Sequence, residues 1–306
     1  MNHERRSILI AELLAVIFMG AVAGAAHWSG VNLLLFPELA ALSHDVLTRP
    51  RGQWASQPFR LVLTPTLAAV AGLLITRHAR YGAISILLIV LAALAIIRLL
   101  RSAIGPALSA AVLPMALGER RWSYPLAIAA GLSGLILLLW LWKRFGPAIH
   151  VAPRQTNEDA IDDALESESR GRPWLPSLLI FVLILAAAGE VTGLRFLLFP
   201  PLVVMAYEIL GHPELRDWMQ RPALFPVVCF LTALVGLLAC RYLGGTVTGV
   251  VVAVAVSIVL LRIFRMHMPP ALAIGLLPFV MTAPTFWYPL SVGIGTTALS
   301  VWQPLP

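Results

Sequence analysis

Residues 82–100 read GAISILLIVLAALAIIRLL, nineteen positions holding one charged side chain, Arg98. A helix rises about 1.5 Å per residue, so about 20 apolar residues cover the ~30 Å hydrocarbon core of a bilayer. This stretch therefore reads as a membrane span. The residues that follow, RSAIGPALSAAVLPM over 101–115, are polar only briefly before a proline opens a second apolar run.

Working outward, runs of similar character lie at Ile8–Ala26, Phe59–Thr76 and Trp122–Trp142, and again at Leu175–Glu190, Ala223–Cys240, Gly244–Phe264 and Trp287–Trp302. Two shorter, proline-bearing pieces recur in each half: Gly30–Leu47 with Gly193–Leu210, and Ile104–Leu117 with Met268–Met281. Their length and prolines suit broken or re-entrant helices. Lipid-exposed strands would leave backbone groups unpaired, so the expected fold is all-α: a polytopic transmembrane helical bundle. Composition agrees, with 59% of the 306 residues hydrophobic and only 12% charged, which excludes an ordinary soluble domain. The opening MNHERR and its apolar run resemble a signal peptide but exceed a usual h-region, and are read as a retained span. Cys229 and Cys240 have no metal or disulfide spacing and read as packing residues.

Sliding the chain along itself by 163–164 residues aligns residues that lipid does not explain. Gly30, Phe36, Pro37 and Asp45 meet Gly193, Phe199, Pro200 and Glu208; Trp54, Pro58, Gly72 and Arg77 meet Trp218, Pro222, Gly236 and Arg241. Arg98, Arg101, Pro106 and Pro114 meet Arg262, Arg265, Pro270 and Pro278, and Tyr124-Pro125 meets Tyr288-Pro289. The reading is a duplication: a first transmembrane repeat over 1–145, a hydrophilic linker over 146–173 and a second repeat over 174–306. The core of the linker, RQTNEDAIDDALESESRGR, cannot bury apolar surface. Four spans per repeat is an even number, so the repeats are expected to be parallel. Re-entrant short pieces would put Arg77 and Arg80 on one side with Lys143 and Arg144, and Arg49, Arg51, Arg120 and Arg121 opposite. Trp54, Trp218, Tyr124 and Tyr288 end apolar runs, where interfacial aromatic anchors normally sit.

The segments GVNLLLFPEL, LTRPRGQW and IGPALSAAVLPM, with GLRFLLFPPL and HMPPALAIGLLPF in the second half, resemble the HPP family of small membrane proteins. The triplets stand here as Ile104-Gly105-Pro106 and Met268-Pro269-Pro270, with His267 just ahead of the second. The resemblance covers nearly all of both halves. It implies a transporter or channel for a small anion, nitrite or nitrate being the family's association.

Arg98 with Arg101, and Arg262 with Arg265, stand three residues apart, so each pair shares a helical face. A central arginine costs about 2.5–3.5 kcal/mol to insert, which demands an offset. Snorkelling to headgroups at the span ends is one. The other is an anion site, because Pro106 and Pro270 preset short helices whose first N–H groups, at Gly105–Ala107 and Pro269–Ala271, are unpaired. A planar monovalent oxyanion there would meet a helix dipole and a bidentate guanidinium. The expected substrate-binding set is thus Arg98, Arg101, Gly105, Pro106, Arg262, Arg265, His267, Pro269 and Pro270. Asp45 and Glu208 are candidates for ion pairs with these arginines or for proton coupling, and Glu190 for a proton relay. A non-transporting membrane scaffold and a channel for a neutral solute stand as alternatives.

No Walker loop, dinucleotide fingerprint, HExxH helix or nucleophile elbow is present, so neither an enzyme nor a cofactor or metal is expected. The net charge of +7 is scattered among spans, which points to lipid headgroups and small anions as partners, not nucleic acid. Lys143 is the sole lysine among 22 basic residues, a bias that suits a GC-rich bacterial genome and hence an inner membrane. The sequence leaves monomer and homo-oligomer open.

Overall fold

A computed structural model describes residues 3–145, 174–211 and 223–302, so the 146–173 linker, Trp218 and Pro222 lie outside the described residues. Every regular element among the described residues is helical. In chain order these are α1 (His3–Ser29), α2 (Glu38–Thr48), α3 (Gln53–Ser56), α4 (Pro58–His78), α5 (Ala83–Leu99), α6 (Ala107–Leu117) and α7 (Ser123–Phe145). There follow α8 (Trp174–Thr192), α9 (Pro200–Gly211), α10 (Leu224–Leu243), α11 (Val247–Phe264), α12 (Pro270–Leu276) and α13 (Trp287–Trp302). Six of them, α1, α4, α7, α8, α10 and α11, are long and apolar enough to cross a membrane. Of the eight spans expected, α5 has 17 residues and α13 has 16, about 25 Å of rise each, just short of a full crossing.

The long helices surround the short ones. Every residue from Glu38 to Leu47, from Ala107 to Ala116 and from Pro270 to Phe279 is buried, and so is α9 apart from Tyr207. Outer faces carry exposed Leu13, Ile17, Leu88, Leu126, Ile184 and Val259, apolar surface that suits lipid and not water. Across the middle, α2 packs on α12 and α9 packs on α6 and α12, while α1 lies against α11 and α8 against α5.

Two devices set this packing. Gly30 (φ +70°) and Gly193 (φ +76°) end α1 and α8 in the left-handed region, which turns the chain back into the bundle. Gly72 and Gly236 let backbones touch: a Cβ added at either would lie 1.9 Å from the carbonyl oxygen of Ala111 or Gly275. Those two contacts are related by the 163–164 shift, and others recur at it. Tyr124 Oη donates to Ala110 O and Tyr288 Oη to Ile274 O, both at 2.6 Å. Arg77 lies over the Trp122 ring and Arg241 over Phe286, both at 5.5 Å.

Two expectations are corrected. Tyr124 and Tyr288 are not interfacial anchors but fully enclosed latches, because a phenol that caps a neighbouring helix carbonyl gains more inside than at a headgroup. Trp54 is likewise buried, donating to Ala103 O at 3.0 Å. The sides also change. Ser102 meets Thr64 at 2.9 Å, Ala111 lies against Gly72 and Arg77 reaches Arg120 O at 3.5 Å, so residues 102–120 run beside α4 for about 20 Å instead of looping back. Arg77 and Arg120 therefore share one end of the bundle, and Lys143, bonded to Ala55 O at 3.0 Å, shares the other with the turn that holds Arg49 and Arg51.

Candidate functional site

The four matched arginines lie at the ends of α5 and α11 with exposed side chains, while Gly105, Pro106, Pro269 and Pro270 are buried. The guanidiniums and the short-helix starts are thus on different surfaces. Arg101 (φ 47°) and Arg265 (φ 50°) occupy the left-handed position where glycine is usual, and that turn directs the chain inward after each helix. Arg262 is held by Glu12 of α1, with Nε donating to Oε1 at 3.1 Å and Nη2 paired to the second oxygen.

At the start of α6 an acidic side chain stands close by. A Cβ on Gly105 would sit 3.1 Å from Glu208 Oε1, so a resident carboxylate of α9 already faces that positive helix end. Asp45 Oδ1 accepts from Arg49 Nε at 3.0 Å and Nη2 at 2.8 Å, an ion pair one turn along the chain rather than one with Arg98 or Arg101. Glu190 accepts from the Ala83 N–H at 2.9 Å, capping α5 from α8.

Two further groups are built around residues that the sequence reading passed over, Glu38 and His44. Glu38, in the first turn of α2, is 2% exposed; Ser109 Oγ of α6 donates to its Oε1, and its Oε2 has no hydrogen-bond partner among the described residues. The hydroxyls of Tyr124 and Tyr288 are both committed to helix carbonyls and leave it unserved. The signal for Glu38 was a carboxylate early in the apolar segment 30–47, but its match at the shift is Pro201, so a search for repeated residues passes over it. The second group lies between α1 and α2, where His44 Nε2 stands 3.7 Å from Glu12 Oε1, and its ring faces His267 with centroids 6.2 Å apart. His44 is buried and its Nδ1 has no hydrogen-bond partner among the described residues.

An open cleft of about 490 Å³ lies at the opposite end, between Thr76–Tyr81, Met115–Arg120 and Gly189–Arg195. Arg80, Arg120 and Arg195 line it with a single carboxylate, Glu190, so its formal charge is positive. Arg195 lies 5.2 Å over the Tyr81 ring, whose phenol burial pushes up to about 12. No family model, no curated protein and no solved structure matches the chain. Among the described residues, no three His, Cys, Asp or Glu side chains gather to hold a metal ion.

Proposed function

We propose that this protein is a permease for a small monovalent anion, built from two parallel copies of one unit, with its path along the seam between them. The observation that carries the proposal is the buried layer of short helices from both halves, which holds the carboxyl of Glu38, together with Glu208 and the Arg49-paired Asp45, inside a largely apolar bundle. Ionisable groups at such depth cost several kcal/mol and mark pathways in membrane proteins more often than they serve packing. Short helices meeting at a repeat interface are where transporters bind their solutes. The matched Tyr124/Tyr288 and Gly72/Gly236 contacts support the tandem arrangement, and an even number of helical passes in each half would make it parallel.

The sign of the solute rests on the cleft. Three guanidiniums against one carboxylate raise local anion concentration at the mouth of the seam, and a guanidinium suits a planar oxyanion. The resemblance to HPP proteins makes nitrite and nitrate the first solutes to test, in a bacterial inner membrane. A non-transporting scaffold is the second reading, favoured by the exposure of Arg98, Arg101, Arg262 and Arg265, which suits snorkelling to headgroups. Flux of nitrate, nitrite, chloride and urea into proteoliposomes separates them. The permease passes nitrate ahead of urea and slows when Arg80, Arg120 and Arg195 are replaced by glutamine together. Anion flux indifferent to that triple change removes the cleft from the path, and no flux of any solute leaves the scaffold.

A further inference from the structure

We infer that Glu38 is the binding site of a coupling proton, taken up and released once per transport cycle; this rests on the permease reading above. The geometry around the carboxyl is that of an acid, not of an ion pair. It is 2% exposed, Ser109 Oγ serves one oxygen, and the other oxygen has no hydrogen-bond partner among the described residues. On α2 itself Asp45 is bonded to Arg49, and His44 lies beside Glu12 of α1. From α6 comes only the Ser109 hydroxyl; α7 and α13 present the phenols of Tyr124 and Tyr288; α12 carries no titratable side chain, and His267 ahead of it faces His44. No cation among these groups is directed at Glu38, so the proton itself is the counter-charge that lets the side chain rest there.

The step balances without a co-reactant. When the seam admits water, the O–H bond on Glu38 Oε2 breaks, the proton leaves as hydronium and a carboxylate remains on the Ser109 hydrogen bond; the reverse step reloads it from the other side. In the loaded state Oε2 carries the O–H, and a protonated carboxyl beside an anion path donates a hydrogen bond to the anion where a carboxylate would repel it. The group is single. Its counterpart at the shift is Pro201 and that of Ser109 is Ala273, so one chain holds one such site and carries one proton per anion.

The test uses the full chain in proteoliposomes with the membrane potential clamped, and nitrate as the probe, because nitrous acid crosses lipid unaided. With one proton per anion, a one-unit pH difference drives about tenfold nitrate accumulation. The steady-state ratio, not the rate, is the readout. The expected ratio is about 10 for the native chain and about 1 for Glu38→Gln; equal ratios in the two overturn the inference while nitrate flux itself keeps the permease. Infrared spectroscopy reads the proton without transport: a carboxylic-acid C=O band that fades as pH rises and is missing in Glu38→Gln supports the site, and a band unchanged by pH or by the substitution overturns it. If the native chain passes no nitrate, the permease reading fails and the spectrum alone decides for Glu38. Should Glu38→Gln not fold, Ser109→Ala serves: loss of the donor to the carboxylate raises the pH at which the band fades, and an unmoved band counts against the assignment.

Discussion

Replacing Gly72 by alanine strikes the contact that sets the inner layer. The new Cβ would lie 1.9 Å from Ala111 O, whereas a carbon and a carbonyl oxygen approach to about 3.3 Å at closest, so the helices must part by roughly 1.4 Å. The obstacle is helix backbone, which has no rotamer to yield. The cost belongs at the upper end of the overpacking range, about 3 kcal/mol, and exceeds the gain of up to about 1 kcal/mol from putting alanine in place of a helical glycine. Gly236→Ala meets Gly275 O at the same 1.9 Å and carries the same cost. Gly134→Ala is the control, because its Cβ meets only Phe18 Cε2 at an ordinary 3.8 Å. Thermal unfolding in a mild detergent, followed by tryptophan fluorescence, should show both close-contact variants melting roughly 5–10 °C below the native chain and Gly134→Ala at or slightly above it. Gly72→Ala melting with Gly134→Ala would refute direct contact of α4 with α6. A large drop in one close-contact variant without the other would break the correspondence between the two halves.

Two smaller perturbations test the ends of the helices. Arg101 and Arg265 hold left-handed backbone at φ 47° and 50°, which costs a non-glycine residue about 1–2 kcal/mol. Arg101→Gly and Arg265→Gly should each stabilise the fold by about 0.5 kcal/mol after the extra freedom of glycine in the unfolded chain is counted, and a lowered melting point in both would show that the side chains matter more than the turn. In the loop between α6 and α7, the Arg121 guanidinium holds the Glu119 carboxyl below its ordinary 4.5, helped by the N–H groups of Arg120 and Arg121. A lowered folded-state value means this stabilisation is complete above pH 4.5 and fades as pH falls through the folded-state value, so the small advantage of the native chain over Glu119→Gln should vanish on acidification and not on alkalinisation. A constant difference across that window would contradict the assignment.

What could be read from the sequence follows from what kind of information lipid imposes. Span length and apolarity depend on composition along the chain, so the positions of α1, α4, α7, α8, α10 and α11 were legible, as were the proline-marked short helices. Which way a side chain points around a helix end depends on neighbours far off in sequence. Arg98 and Arg101 therefore looked like candidates for the interior, and only the fold shows them outside, with the left-handed turn at Arg101 sending the chain inward without its own side chain. The aromatic residues failed for a related reason. A tyrosine ending an apolar run satisfies the rule for a headgroup anchor and equally the rule for a buried latch, and the partner that decides, the Ala110 carbonyl, is carried by another helix.

The most informative residues turn out to be those that break the internal match. Under the tandem reading, the position matching His44 is Tyr207, whose ring stacks edge-on against Trp174 at 5.4 Å, while His44 keeps company with Glu12 and His267. At this matched position one seam is thus aromatic and its counterpart titratable. Glu38 against Pro201 and Ser109 against Ala273 show the same division, as does the cleft, where Arg80, Arg120 and Arg195 correspond to Gly244, Pro284 and Asn32. Matched residues such as Gly72, Tyr124 and their partners hold the frame, so they must be kept twice. A solute path needs its charges only once. On the proposed tandem reading, one chain can do what a symmetric dimer of the single unit cannot, placing the acid and its donor in one half alone and the cationic cleft at the α5–α8 seam alone.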